Sequence, residues 1–221
     1  MPRNARIVIP GALHHVTQRG NFRSDVFFDD TDRIFFLETL VEYANLARVG
    51  IASYCLMTNH THLLLVPSDP LGLARMLKPV HMRYSQRLNF RFSRLGLNWQ
   101  GRFFSSPLDE SHAWQAYRYV AENPERAKMV KHFQEYAWSS AKAHLVHERS
   151  AFLTASDDWL DKAHQALNES TARCLTPEQA EALRRNTKMN LPTGSPEYLD
   201  ELEKKLGCHL RFRSPGRPRK G

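Results

Sequence analysis

Between Leu13 and Asn123 the spacing of apolar residues switches back and forth between a strand-like and a helix-like period, and each switch marks an element. Leu13 to Gln18 reads as a strand closed by the polar turn Arg19-Gly20-Asn21. Ile34, Leu37, Leu40, Val41 and Ala44 then recur at helical spacing, with Asp29 to Asp32 ahead of them as N-cap candidates. Two β-prone runs follow, Ile51 to Met57 and His62 to Val66, separated by Thr58-Asn59, which either turns the chain or bulges it. Leu73, Met76, Leu77, Val80, Tyr84 and Leu88 line one face of a helix from Leu71 to about Phe90, which Pro79 is expected to kink. A strand from Trp99 to Leu108 leads to a third helix, capped by Asp109 or Ser111. It runs to about Asn123, because Pro124 disfavours helical geometry in the residue before it.

The order β-α-β-β-α-β-α predicts an α+β fold of the ferredoxin-like, split βαβ kind: an antiparallel sheet with helices on one face and the other face open to ligand. With 221 residues the chain can bury one sizeable core and carry an appendage. We assign residues 1–147 to a catalytic domain and 148–210 to a mainly helical accessory region. Within the latter, helices are expected from Thr176 to about Leu183 and around Tyr198, Leu199, Leu202 and Leu206. Residues 211–221, rich in arginine and free of acid, form a basic tail expected to stay disordered until it binds.

Composition narrows the class. No apolar run approaches the roughly 20 residues of a membrane helix, and the charged start lacks the apolar core of a secretory signal, so a cytoplasmic protein without membrane contact is expected. Cys55, Cys174 and Cys208 are odd in number and widely spaced, which suggests neither a disulfide framework nor a cysteine zinc site. Lys and Arg total 31 against 23 Asp and Glu, a net charge of +8, which makes nucleic acid the leading partner. Charge alone fits a merely soluble basic protein equally well.

The sharpest local signal is Asn59-His60-Thr61-His62-Leu63-Leu64-Leu65. Side chains alternate along a strand, so His60 and His62 share one face while Thr61 and Leu63 take the other. Two imidazoles side by side can ligate a divalent cation and leave positions for a third protein ligand, a phosphate oxygen or water. A bare H-x-H is also met as a pair of half-buried histidines with no metal. A zinc hydrolase normally adds further ligands nearby, and here only leucines follow. Further along, Tyr119 and Asn123 stand four apart, neighbours on one helix face, whereas Tyr117 points elsewhere. Together they offer a phenol nucleophile and an amide oxygen. Taken singly, they read as a packed tyrosine and a helix-ending asparagine.

Four separated stretches resemble the REP-associated tyrosine transposases, members of the single-tyrosine HUH superfamily of insertion-sequence transposases. They are Leu13-His14-His15-Val16-Thr17-Gln18-Arg19-Gly20-Asn21, Tyr54-Cys55-Leu56-Met57-Thr58-Asn59-His60-Thr61-His62-Leu63-Leu64, Trp99-Gln100-Gly101-Arg102-Phe103 and Arg118-Tyr119-Val120-Ala121-Glu122-Asn123-Pro124. The resemblance implies that His60 and His62 bind Mg2+ or Mn2+ with Asn123 as co-ligand. It also implies that Tyr119 attacks a DNA phosphate, giving a 5′-phosphotyrosine and a free 3′-hydroxyl in a reaction that reverses without ATP. The middle residue of the histidine motif is usually apolar, and here it is Thr61, a β-branched residue that a strand accommodates facing away from a metal.

By the same resemblance the substrate is single-stranded DNA folded as palindromic hairpins. The residues themselves supply suitable contacts: Arg83, Arg87, Arg91 and Arg94 interleaved with Tyr84, Phe90 and Phe92, then Trp99 and Arg102, with Arg19 after the first strand. Tyr84 is expected in the core. Gly216-Arg217-Pro218, followed by Arg219 and Lys220, resembles an AT-hook core that reads the narrow minor groove; a charged tail without groove preference has the same composition. A non-catalytic DNA-binding regulator descended from a transposase is the main alternative, and an RNA-binding ferredoxin-like module lacks its aromatic signature here. The sequence leaves monomer or homodimer open.

Overall fold

The computed structural model describes residues 6–168 and 175–212. Four strands form one antiparallel sheet in the order β2-β3-β1-β4: β1 (His14–Arg19), β2 (Val49–Leu56), β3 (His60–Pro67) and β4 (Phe104–Pro107). The intervening helices are α1 (Asp30–Ala47), between β1 and β2, and α2 (Gly72–Arg91), between β3 and β4. This is the expected α+β, ferredoxin-like arrangement. Local chemistry explains its boundaries. Asp29 caps α1, its carboxylate accepting from the Asp32 amide at 3.0 Å. Thr58-Asn59 turns the chain, so the two apolar runs are paired strands. Pro79 sits inside α2 without ending it.

Apolar alternation assigns the two faces of the sheet. Val16, Leu63 and Leu65 face the paired helices α1 and α2, where Phe36, Leu37, Leu40, Leu77, Val80 and the fully buried Tyr84 complete the core. Ile34, expected on the inner side of α1, is exposed; Phe36 points inward instead. Strand β4 is shorter than expected because Gly101, with φ of +90°, turns the chain ahead of Phe104. Trp99 does not offer its ring to solvent. It is buried against Phe27, Phe36, His81 and Tyr84, and its Nε1–H donates to the His81 carbonyl at 3.3 Å.

The second face is not open. α3 (Glu110–Ala121) lies over β2 and β3, and α6 (Asp157–Asn168) packs on α3 and β2. α7 (Pro177–Met189) covers β4 and β1. The face carries Cys55 and Leu64, and its apolar surface needs cover as much as the first. Two short helices, α4 (Asn123–Arg126) and α5 (Ala141–Leu145), connect α3 to α6, and α8 (Pro196–Leu206) follows α7. Leu153, Ala155, Leu160, Ala163 and Leu183, all beyond His147, belong to the same core as the sheet. No described helix is long and apolar enough to cross a membrane. Cys55 is buried and Cys208 exposed, both as free thiols, and Cys174 lies outside the described residues.

Candidate active site

The β1–β3 register places Thr17 opposite His62, His15 opposite Leu64 and Arg19 opposite His60. His15, Thr17, Arg19, His60 and His62 therefore share the face covered by α3 and α7. The rings of His60 and His62 meet with centroids 5.0 Å apart and planes at 73°. Tyr119, on the inner side of α3, stands edge-on to His62 at 5.6 Å between centroids, and to His15 at 5.5 Å. The two histidines and the tyrosine thus lie together on this face.

Hydrogen bonds fix which nitrogen each imidazole offers. The Asn59 amide is oriented by Nδ2–H donating to the Arg23 carbonyl at 3.0 Å, which leaves Oδ1 to accept from His60 Nδ1–H at 2.6 Å. His62 Nδ1 is 2.9 Å from His15 Nε2. The Asn59 contact therefore leaves the His60 Nε2 with a free electron pair, while the Nδ1 of His62 is engaged by His15. Burial holds the imidazoles neutral: His60 is lowered to about 4 by desolvation and then by the charge of Arg19, and His62 lies well below its ordinary value for the same leading reason. A neutral imidazole with an unprotonated Nε2 is the form that ligates a metal. The turn that carries Asn59 is held by the Gly20 amide, which donates to the Asn59 carbonyl at 2.8 Å; a Cβ at Gly20 would collide with the Ser24 carbonyl.

Tyr119 is 3% exposed and bordered by two arginines. Arg126 lies over its ring, Cζ to centroid 4.4 Å, and also donates to the Tyr119 carbonyl and to Glu122. Arg184, from α7, meets the Tyr119 hydroxyl, a contact that raises the guanidinium's pKa. Tyr117 is directed elsewhere: its hydroxyl donates to the Trp159 carbonyl at 2.9 Å. Contrary to the sequence reading, Asn123 is not on the helix of Tyr119. α3 ends at Ala121, and Asn123 opens α4 with Pro124, a residue favoured at a helix start. The Asn123 side-chain nitrogen is buried without a hydrogen-bond partner. Among the described residues no three His, Cys, Asp or Glu side chains cluster as a metal site, so any site here must draw on an amide or on substrate.

The family signature lies on these same elements. The profile described as "Transposase IS200 like" matches residues 10–123, more than half of the chain. The chain belongs to this family. A comparison with curated proteins found no match. Among solved structures, this IS200-like transposase is similar to a REP-associated tyrosine transposase bound to a REP hairpin, with TM-score 0.57 and 16% identity over 80% of this chain and 100% of that one. A candidate transposase from Deinococcus radiodurans R1 matches with TM-score 0.39 and 16% identity over 54% of this chain and 95% of that one.

The expected DNA contacts divide by location. Arg83 is paired with Glu42 at 2.7 Å, and Arg87 and Arg91 reach Asp32 on α1 at 3.6 and 2.8 Å. Arg94 donates to Asn98 at 2.6 Å. The first three belong to the α1–α2 layer, across the sheet from the histidines. Arg19 is exposed beside His60, and Arg102 is exposed on the loop before β4. Arg217, Arg219 and Lys220, with the AT-hook-like segment, lie outside the described residues. Residues that sequence reasoning did not assign to the site are His15, Arg126, Arg184 and Thr187. Only His15 carried a signal, being two positions from Thr17 and four from Arg19 on one strand face.

Proposed function

We propose that this IS200-like transposase is a metal-dependent enzyme that cleaves and rejoins single-stranded DNA at palindromic hairpins through a 5′-phosphotyrosine intermediate. One observation carries the reading: His60 and His62 on β3 and Tyr119 on α3, distant in sequence, meet on one face of the sheet, with the Nδ1 of each histidine already engaged by a neighbour. His60 and His62 would hold Mg2+ or Mn2+, and Asn123 is the candidate third ligand through its side-chain oxygen, the nitrogen of the same amide having no partner in the protein. Such an ion, when bound, withdraws charge from the non-bridging oxygens of the scissile phosphate.

The chain's own residues supply the rest. The Tyr119 oxygen forms a bond to phosphorus as the bond to the 3′ oxygen breaks; the phenolic proton is lost, and the departing oxygen takes one up as a 3′-hydroxyl. Arg184 places a permanent positive charge beside the oxygen that must give up its proton. Phosphodiester energy is retained in the tyrosyl ester, so another 3′-hydroxyl can reverse the step and join strands. The hairpin substrate is supported by the hairpin-bound structure of similar fold.

The test is to incubate the chain with labelled hairpin DNA and Mn2+ and run a denaturing gel. A covalent adduct formed by the wild type and absent in Tyr119→Phe supports the reading. DNA binding without any adduct would favour the non-catalytic regulator.

A further inference from the structure

Thr187 lies on α7, well outside the residues 10–123 that carry the family signature. Its hydroxyl is 2.8 Å from the Leu183 carbonyl and 2.8 Å from His15 Nδ1, and all three groups are buried inside the sheet–α7 interface. A carbonyl oxygen can only accept, so the single hydroxyl proton of Thr187 points at Leu183. Thr187 Oγ1 must then accept from His15 Nδ1–H. With its ring proton on Nδ1, His15 keeps a lone pair on Nε2, which accepts from His62 Nδ1–H at 2.9 Å. The direction of the whole chain is set by one backbone carbonyl. Its last consequence is that the proton of His62 sits on Nδ1 and the electron pair on Nε2.

We propose that His15 and Thr187 are positioning residues: together they lock His62 in the tautomer whose Nε2 faces a metal, which makes α7 part of the catalytic apparatus. This rests on the reading of His60 and His62 as metal ligands. The two rings lie edge to edge in nearly one plane, 5.2 Å between centroids and 6° between planes, so the hydrogen bond that sets the tautomer of His62 also fixes its orientation. His60 is handled in parallel by Asn59, so each histidine has its own acceptor on Nδ1.

Deleting one hydroxyl far from the metal should therefore invert two imidazoles. In Thr187→Val, His15 Nδ1–H loses its acceptor, and moving the proton to His15 Nε2 forces His62 to accept on Nδ1 and carry its proton on Nε2. Thr187→Ser keeps the acceptor. His15→Phe keeps a ring of similar bulk but leaves His62 without an acceptor, whereas the amide of His15→Gln can both accept from His62 and donate to Thr187.

The experiment has two readouts, neither of them cleavage. Ring-nitrogen shifts from 15N NMR of the metal-free protein report the His62 tautomer, and titration with Mn2+ followed by the EPR signal of free ion reports affinity. We expect Nδ1–H at His62 in the wild type and in Thr187→Ser, loss of that signature in Thr187→Val, and Mn2+ binding weaker by about 10- to 100-fold in Thr187→Val and His15→Phe. His15→Gln should recover most of the affinity. Saturable binding of equal strength in wild type, Thr187→Val and His15→Phe would overturn this proposal while leaving the metal reading standing, as would an Nε2–H tautomer of His62 in the wild type. No saturable binding by the wild type, or binding unaffected by His60→Ala and His62→Ala together, would overturn the metal reading and this proposal with it.

Discussion

The ring of Tyr119 meets the ring of His62 edge to face, 5.6 Å between centroids and 77° between planes, so the proposed nucleophile on a helix and the proposed ligand on a strand are in van der Waals contact. The contact uses the ring and not the hydroxyl. The Arg126 guanidinium likewise lies over the ring. Tyr119→Phe should therefore keep the packing and change unfolding free energy by no more than about 1 kcal/mol, the scale of one hydrogen bond. Urea unfolding and DNA binding should be near wild type while adduct formation is abolished.

Six buried or half-buried histidines should make the fold sensitive to mild acid. Desolvation lowers His14, His60 and His144 to about 4 and His15 and His81 to about 3, and brings His62 well below its ordinary value. In the unfolded chain each takes up a proton near pH 6.5, so the unfolded state binds more protons between about pH 6.5 and 4. Stability contributed by neutral burial is thus complete above pH 6.5 and is lost as pH falls towards the folded values. Each such histidine can contribute a slope of up to about 1.4 kcal/mol per pH unit. We expect Tm to fall steeply between pH 6.5 and 5, above the carboxylate range, in scanning calorimetry of the metal-free chain. A flat Tm across that interval would contradict the burial of these rings.

Asp109 joins the tyrosine helix to the C-terminal helices. Its carboxylate caps α3 by accepting from the His112 amide at 2.8 Å, accepts from His112 Nδ1 at 2.7 Å, and accepts from the Ser195 amide at the start of α8. Desolvation opposes ionisation here, but these hydrogen bonds together hold the carboxyl down at about 2. The stabilisation is fully present above about pH 4 and is lost as pH falls towards 2. Asp109→Ala removes both the cap and the anchor, and should cost about 2–4 kcal/mol in urea unfolding at neutral pH.

Free and paired arginines should separate in salt titrations. Arg19 and Arg102 are exposed on or next to the site-bearing strands, and substitution of either by Ala should weaken hairpin binding and reduce the slope of log affinity against log salt by about one. Arg83 already faces Glu42 through two contacts at 2.7 and 2.9 Å. Arg83→Ala should leave the slope unchanged and barely alter stability, as for an exposed pair.

Much of the sheet and its site was legible from periodicity. Strand alternation alone places His60 and His62 on one face, and the cap at Asp109 follows from its position before an amphipathic run. What was not legible depended on register between distant segments. His15 gains its role only because β1 pairs with β3 in a register that seats it beside His62, and Thr187 only because α7 returns over β1. The arginines of α2 read as free cations because nothing local shows that Asp29, Asp32 and Glu42 of α1 face them. Trp99 fits a strand pattern, yet its indole is drawn into the aromatic cluster and Gly101 turns the chain after it. Pro124 announces a break, but whether a helix stops at it or a new turn starts from it cannot be told from a single residue.

The most direct measurement of the proposed chemistry is to trap the protein on a hairpin oligonucleotide with Mn2+, digest the DNA and protein, and locate the residual nucleotide by mass spectrometry. We expect a nucleotide joined through its 5′ phosphate to the peptide containing Tyr119 and assigned to that residue, with a free 3′-hydroxyl on the released strand. A nucleotide on Tyr117 or any other residue, or cleaved DNA with a 5′ phosphate and no protein attached, would contradict it.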